Sequence, residues 1–331
     1  IMKKLITIVG LVAIFMAANR AEAQNVYVLQ NGSRVLFFSA LTNVMSSMQD
    51  GDTLYLPPKP IDATLTITKR VAIIGAGYHP DSSAVTGITK VTGSVDFAKK
   101  SKGSSMTGVR IEGNVYVKDS SITVTRCSLN EVQVQNAAIS ISQVYFGDCV
   151  IRSTVGGFND VVTNALIERC VIGGNVAGGN KTNNLMLKNC VFLNVDAFFL
   201  QSLSNLIIQN SIILNNDLSY MFYGGTSSLT LKNNLWVRTS FSSPSFSMTG
   251  NVFGVPRADI FVDESKGDYR IKPTLTPAFT MASDGKQVGI FGTDYPFLVP
   301  THAPRFIAID NAESVANGKL SVKMKVEARN R

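Results

Sequence analysis

The sequence predicts an all-β fold, a parallel β-helix. Three observations lead there: a phrase that repeats about every 21 residues, apolar residues that alternate within each repeat, and Gly, Asn and Ser where helix formers would stand. LMLKNCVFLNVDAF (185–198) returns as LIIQNSIILNNDLS (206–219), keeping Leu185/Leu206, Asn189/Asn210, Leu193/Leu214, Asn194/Asn215 and Asp196/Asp217 in phase. Looser copies are ITVTRCSL from Ile122, ALIERCVI from Ala165, LTLKNNLW from Leu229 and FSMTGNVF from Phe246. The residue after the polar pair marks each unit: Cys127, Cys149, Cys170, Cys190, Ser211, Asn234 and Asn251, in steps of 22, 21, 20, 21, 23 and 17. Such units stack as coils at the strand spacing of about 4.8 Å, each pairing its backbone with the coil above and below. Around Cys149 the phase is ambiguous, because AISISQVY from Ala138 puts Val144 in the marker column instead.

Taken in chain order, Met2 to Ala23 carries Lys3 and Lys4, an apolar run from Leu5 to Ala18 and then Ala21-Glu22-Ala23, the pattern of a secretory signal peptide cut before Gln24. The run is too short to span a bilayer, so no transmembrane segment is expected. The mature chain is expected to be secreted, at the cell surface or in the periplasm. Removing three basic residues and one acidic residue with the leader takes the formal charge from +8 to +6, a weak lean toward polyanions. The basic residues are dispersed, which argues against nucleic acid. With His79 and His302 the sole histidines, Ser-His-Asp, Cys-His and His-metal chemistry are poorly supplied.

VLFFSALTNVMSSMQDGDTLYLPP (35–58) reads as a short helix, a Gly51-Asp52 turn and a strand, and LTITKRVAIIGAG (65–77) as two further strands. This entry, followed by β-coils, resembles the secreted right-handed β-helix proteins of the pectin lyase-like superfamily. ADIFVDESKGDYRIKP (258–273) and SDGKQVGIFG (283–292) resemble the closing coil of such proteins. The resemblance covers roughly residues 26–295 and implies a single-stranded right-handed parallel β-helix with a short N-terminal capping helix. The expected organisation is a signal peptide over 1–23, the β-helix over 24–299 and a C-terminal β-strand tail over 300–331. In that tail PRFIAID (304–310) and LSVKMKVEA (320–328) read as strands that cover an open edge of the solenoid or serve in export or surface attachment.

Alternation points the four cysteines inward, as a reduced ladder or, alternatively, with Cys170 and Cys190 bridged. Before the markers stand Arg126, Asp148, Arg169, Asn189, Asn210 and Asn233, a row whose charges and amides are expected to satisfy one another between coils. Arg126, Arg169, Lys188 and Lys232 are candidates for contacting a polysaccharide. Asp196 and Asp217 share a phase, so their carboxylates are expected about 5 Å apart in register. With Asn194 and Asn215 they form a candidate Ca²⁺ site, and with Arg238 a candidate catalytic set for a lyase or glycoside hydrolase. Phe198, Tyr220 and Tyr223 are candidate stacking faces for sugar rings.

Arg270-Ile271-Lys272 matches a tripeptide of the polygalacturonase branch. The Asn-Thr-Asp, Asp-Asp and Gly-His-Gly segments that accompany it in that branch are missing, so no catalytic role is carried over. The pectate lyase branch implies Ca²⁺-binding carboxylates and a basic residue that abstracts a proton, but no motif of it matches. The expected function is polysaccharide binding or surface scaffolding by a monomer without catalysis. The alternative is a Ca²⁺-assisted lyase or hydrolase acting on an acidic polysaccharide.

Overall fold

A computed structural model of the chain describes residues 26–79, 87–135, 140–158, 162–178, 183–194, 200–201, 203, 205–216, 222–223, 228–240, 246–297, 305–311 and 322–327. The chain winds into a right-handed parallel β-helix with three sheets of twelve, nine and eight strands among the described residues. Each coil supplies one strand to each sheet, and like positions fall in columns. The core side of sheet one is the column Leu54, Ile73, Met106, Val124, Phe146, Ile167, Leu187, Ile208 and Leu231. Sheet two contributes Ile61, Val91, Ile111, Leu129, Ile151, Ile172, Phe192, Ile213 and Trp236. All of these are buried.

The turn from sheet one to sheet two lies at one point of every coil. There the backbone is left-handed, with positive φ at Gly108, Arg126, Asp148, Arg169, Asn189, Asn210, Asn233 and Gly250. The next residue is the marker, and its side chain turns inward to stitch the coils together. Cys149 N donates to Cys170 Sγ (3.4 Å), Cys190 N to Ser211 Oγ (3.0 Å), Ser211 N to Asn234 Oδ1 (2.9 Å) and Asn234 N to Asn251 Oδ1 (3.1 Å). Cys149, not Val144, therefore occupies the marker column. All four cysteines are buried and free, which excludes the Cys170–Cys190 bridge here.

Both ends of the core are closed by apolar side chains. At the start β1 (Tyr27–Asn31) and β2 (Arg34–Phe38) form an antiparallel hairpin, α1 (Leu41–Ser47) follows, and β3 (Thr53–Tyr55) begins the parallel coils. Leu41, Val44, Met45 and Met48 share one helical face, and Val44 and Met48 are buried over the first coil. Asp52 fixes this cap: both its oxygens accept from Arg34 Nη2 (2.7 Å each), and it also accepts from Gln49 N (2.8 Å). At the far end Phe253 stacks on Trp236 with centroids 5.9 Å apart.

The segment expected as a closing coil takes another path, and this is a correction. Phe261–Asp263 and Asp268–Ile271 pair antiparallel, and the chain from Val255 to Phe297 lies along the outer face of sheet two. Ile260, Phe261, Ile271, Val288 and Ile290 there cover the outward-facing Val171, Val191, Ile212 and Leu235. The turn amides anchor this strap instead of stacking on each other. Ser283 N donates to Asn210 Oδ1 (3.0 Å), Asn189 Nδ2 to Gly289 O (3.4 Å), and Asn233 Nδ2 to Met281 O. The strap thus runs antiparallel to the coil order. In the tail Arg305–Asn311 and Val322–Glu327 pair as an antiparallel hairpin.

The strap's seating is testable at two glycines with similar backbone. Gly289 (φ +79) would place a Cβ 2.8 Å from Ile212 Cδ1, whereas Gly285 (φ +75) has nothing within 4 Å. Gly285→Ala is expected to cost about 1 kcal/mol from backbone strain, and Gly289→Ala roughly 1–3 kcal/mol more, measured by denaturant unfolding. Burial raises the Cys149 and Cys190 thiols well above their ordinary range, so they stay protonated and unreactive. A disulfide-exchange reagent is expected to label no cysteine in the native protein and all four after unfolding.

Candidate functional site

The carboxylates Asp196 and Asp217 and the rings of Phe198 and Tyr220 lie outside the described residues. Tyr223 is described by its backbone alone, in a sheet-three strand beside Leu200–Gln201. The rest of that proposed cluster sits in the turn after sheet two, two residues past the strands Val191–Phe192, Ile212–Ile213 and Leu235–Trp236. There Asn194, Asn215 and Arg238 fall in one column and all are buried. Asn194 Nδ2 donates to Asn175 Oδ1, and Arg238 Nε to Ser240 O (2.9 Å). Among the described residues no three His, Cys, Asp or Glu side chains converge as a metal site.

Arg169 and Lys188 are brought together, but in a charge-balanced ladder. Arg169 Nε lies 2.8 Å from Asp148 Oδ1, its Nη1 lies 2.8 Å from Glu168 Oε2, and Lys188 Nζ lies 3.4 Å from Glu168 Oε1. The Asp148 hydrogen bond holds the Arg169 guanidinium above its ordinary range against the cost of burial. Tyr145 accepts from Arg169 Nη2 (3.2 Å) and donates to Glu168 Oε2 (3.4 Å). A Cβ at Gly147 would lie 2.4 Å from Tyr145 Oη, so glycine there makes room for the phenol. Burial pushes the Tyr145 hydroxyl up to about 12, so it is no base near neutral pH. Two cations facing two carboxylates leave no surplus charge. Lys232, two sheet-one strands beyond Lys188, is exposed.

The surplus sits on the part of sheet two beyond the strap. Outward positions there are Lys90, Arg110 and Ser128, followed by Val150, Val171, Val191, Ile212 and Leu235 under or beside the strap. Glu112 and Arg152 stand at matching places just past their strands. Glu112 Oε1 meets Arg110 Nε at 2.8 Å and Lys90 Nζ at 3.5 Å, while Oε2 meets Arg152 Nη2 at 2.9 Å. Arg152 is further held by Ser128 Oγ (2.6 Å) and Ile111 O (2.8 Å). Three cations therefore share a single carboxylate among the described residues.

The titration of this cluster reflects that imbalance. Burial raises the Glu112 carboxyl, but the Arg110 hydrogen bond and the charges of Arg152, Arg110 and Lys90 outweigh it and hold the group below its ordinary range. Arg152 is lowered, first by burial and then by repulsion from Arg110, with Glu112 compensating in part. The arrangement offers nothing poised for proton transfer at neutral pH. It does offer a preorganised place for an added anion, which would relieve the Arg110–Arg152 repulsion.

Sequence reasoning missed this cluster because the repeat was traced from Cys127 onward, and Lys90, Arg110 and Glu112 come from earlier coils. The signal was present: KV (90–91), RI (110–111) and SL (128–129) precede VI, VI, VF, II and LW in the same phase. The switch from polar to apolar marks where the strap begins. In comparison with known proteins, no family model matches the chain, and no curated protein is similar enough in sequence to count as a match.

Glu112 supplies a pH test. Its folded pKa lies below the unfolded one, so its contribution is present above about pH 4 and lost as pH falls through the folded value. Glu112→Gln is expected to lower stability by about 1 kcal/mol at neutral pH. Urea unfolding should show wild type and variant converging at low pH.

Proposed function

We propose that this chain is a secreted β-helix protein of the pectin lyase-like kind that binds an acidic polysaccharide on its lateral surface without cleaving it. The observation that carries the reading is the cluster of Lys90, Arg110 and Arg152 around the single carboxylate of Glu112. Lys90 and Arg110 stand on neighbouring rungs of sheet two, about 4.8 Å apart, and Arg152 follows the strand two rungs beyond Arg110, so their charges line up along the solenoid axis. An extended polymer bearing carboxylates or sulfates meets such a row without either partner reorganising, which lowers the entropic cost of binding. The half-exposed guanidiniums favour planar oxyanions, to which arginine donates in pairs.

Secretion follows from the leader-like Met2 to Ala23, and polysaccharide as the ligand class follows from the resemblance in fold, an argument by analogy. The Ca²⁺-assisted alternative at Asp196 and Asp217 rests on residues outside the described set, and no described geometry favours it. The balanced Tyr145, Asp148, Glu168, Arg169 and Lys188 ladder serves as structure in this reading.

Binding of polygalacturonate, with its methyl ester as the uncharged control, tests the proposal. The acidic polymer is expected to bind and the ester not, with affinity falling as salt rises. Lys90→Ala/Arg110→Ala should weaken binding at least tenfold and reduce the slope of log affinity against log salt by about 1 to 2, as for other polyelectrolytes. Binding unaffected by the double substitution would overturn the site. Release of an unsaturated or hydrolysed product would overturn the non-catalytic part.

A further inference from the structure

We infer that the chain pairs with a second copy of itself through the free edge of β2. β2 ends the twelve-stranded sheet, bonded to β1 on one side, and no described residue pairs with its other side. Edge strands are ordinarily blunted by lysine, proline, a bulge or a covering element. The five residues Arg34-Val35-Leu36-Phe37-Phe38 carry none of these, and Arg34, the one charge, is turned to Asp52 at 2.7 Å. On the outward face Phe37 is 68% exposed and Val35 43% exposed.

The hairpin's own geometry selects the register of such a pairing. Gly32 (φ +58) opens the two-residue turn, so Asn31/Arg34, Leu29/Leu36 and Tyr27/Phe38 are the hydrogen-bonded pairs with β1. The N–H and C=O groups of Val35 and Phe37 then point away from β1. An antiparallel contact with the same strand of a second copy, with its twofold axis through Leu36, sets Val35 opposite the partner copy's Phe37 and Phe37 opposite its Val35. All four groups are satisfied at once. Registers centred on Val35 or Phe37 satisfy fewer groups within the strand. The chosen register also sets a β-branched residue against an aromatic on the exposed face, a favourable cross-strand pair, twice. No like charges are directly opposed, since Arg34 faces the partner copy's Phe38. An isologous contact of this kind closes as a dimer and leaves no further edge of β2 free.

Light scattering on the full chain over a concentration series tests this. Twice the monomer mass at high concentration, dissociating on dilution, is expected. Phe37→Asp should raise the dissociation constant at least tenfold while the melting temperature of the monomer stays within a few degrees. Leu36→Cys lies on the axis at a non-hydrogen-bonded pair, where Cα atoms approach within disulfide range. Oxidation with diamide, which takes up the two electrons and two protons of the thiol pair, should give a covalent dimer from that variant and not from wild type. A wild type that is monomeric at every concentration overturns the proposal. So does a dimer that survives Phe37→Asp and yields no Leu36→Cys cross-link. Neither result bears on the basic cluster of sheet two, whose glycan binding is read separately.

Discussion

The left-handed turn between sheets one and two is the constraint on which the rest of this structure depends. A non-glycine residue costs roughly 1–2 kcal/mol in that conformation, and asparagine and aspartate least among the others. The chain meets this with Gly108, Asp148, Asn189, Asn210, Asn233 and Gly250, and with Arg126 and Arg169 at two coils. A second left-handed column, at Ser121, Gln143, Asn164, Asn184, Asn205 and Ser228, lies just before or within the first residues of the sheet-one strands. Two fixed bends per coil hold every later residue in register. Register in turn aligns the markers, whose side chains bond from coil to coil, and places each outward side chain in a row.

Rows of outward side chains give the solenoid distinct lateral surfaces from one repeating backbone. On sheet two the apolar row Val171, Val191, Ile212 and Leu235 takes the strap, while Lys90 and Arg110 lie beyond it and Arg152 covers Ser128. The turn amides join these two facts. Left-handed asparagines leave their carboxamides facing outward along the corner, where Ser283, Gly289 and Met281 meet them. A residue chosen for backbone tolerance thus also fixes where the cover lies, and where the cover ends is where the charge surplus begins.

Much of this was legible in the sequence. LMLKNCVFLNVD and LIIQNSIILNND carry both the alternation and the period, and the Cys, Ser and Asn markers fall where the coils put them. The helix over Leu41–Ser47 was readable from its apolar spacing. The strap's path was not, because its bonds join residues 73 and 100 positions apart with no period to announce them. The pairing of charges was legible in part: Asp148 meets Arg169 between coils as the row implied, but the share of Glu168 in neutralising Arg169 and Lys188 was not. Lys90, Arg110 and Arg152 meet at one carboxylate only once four coils are stacked. The candidates Asn194, Asn215 and Arg238 share a column as the repeat implied, but burial keeps them from the surface.

The central claim is that the open half of sheet two, not the face of sheet one, receives an acidic polymer. Hydrogen–deuterium exchange of the chain with and without polygalacturonate tests it most directly. Slowed exchange at residues 89–92, 110–113, 128–130 and 150–153, with sheet one unchanged, is the predicted result. Slowing confined to residues 166–169, 186–188 and 207–209 on sheet one would contradict it.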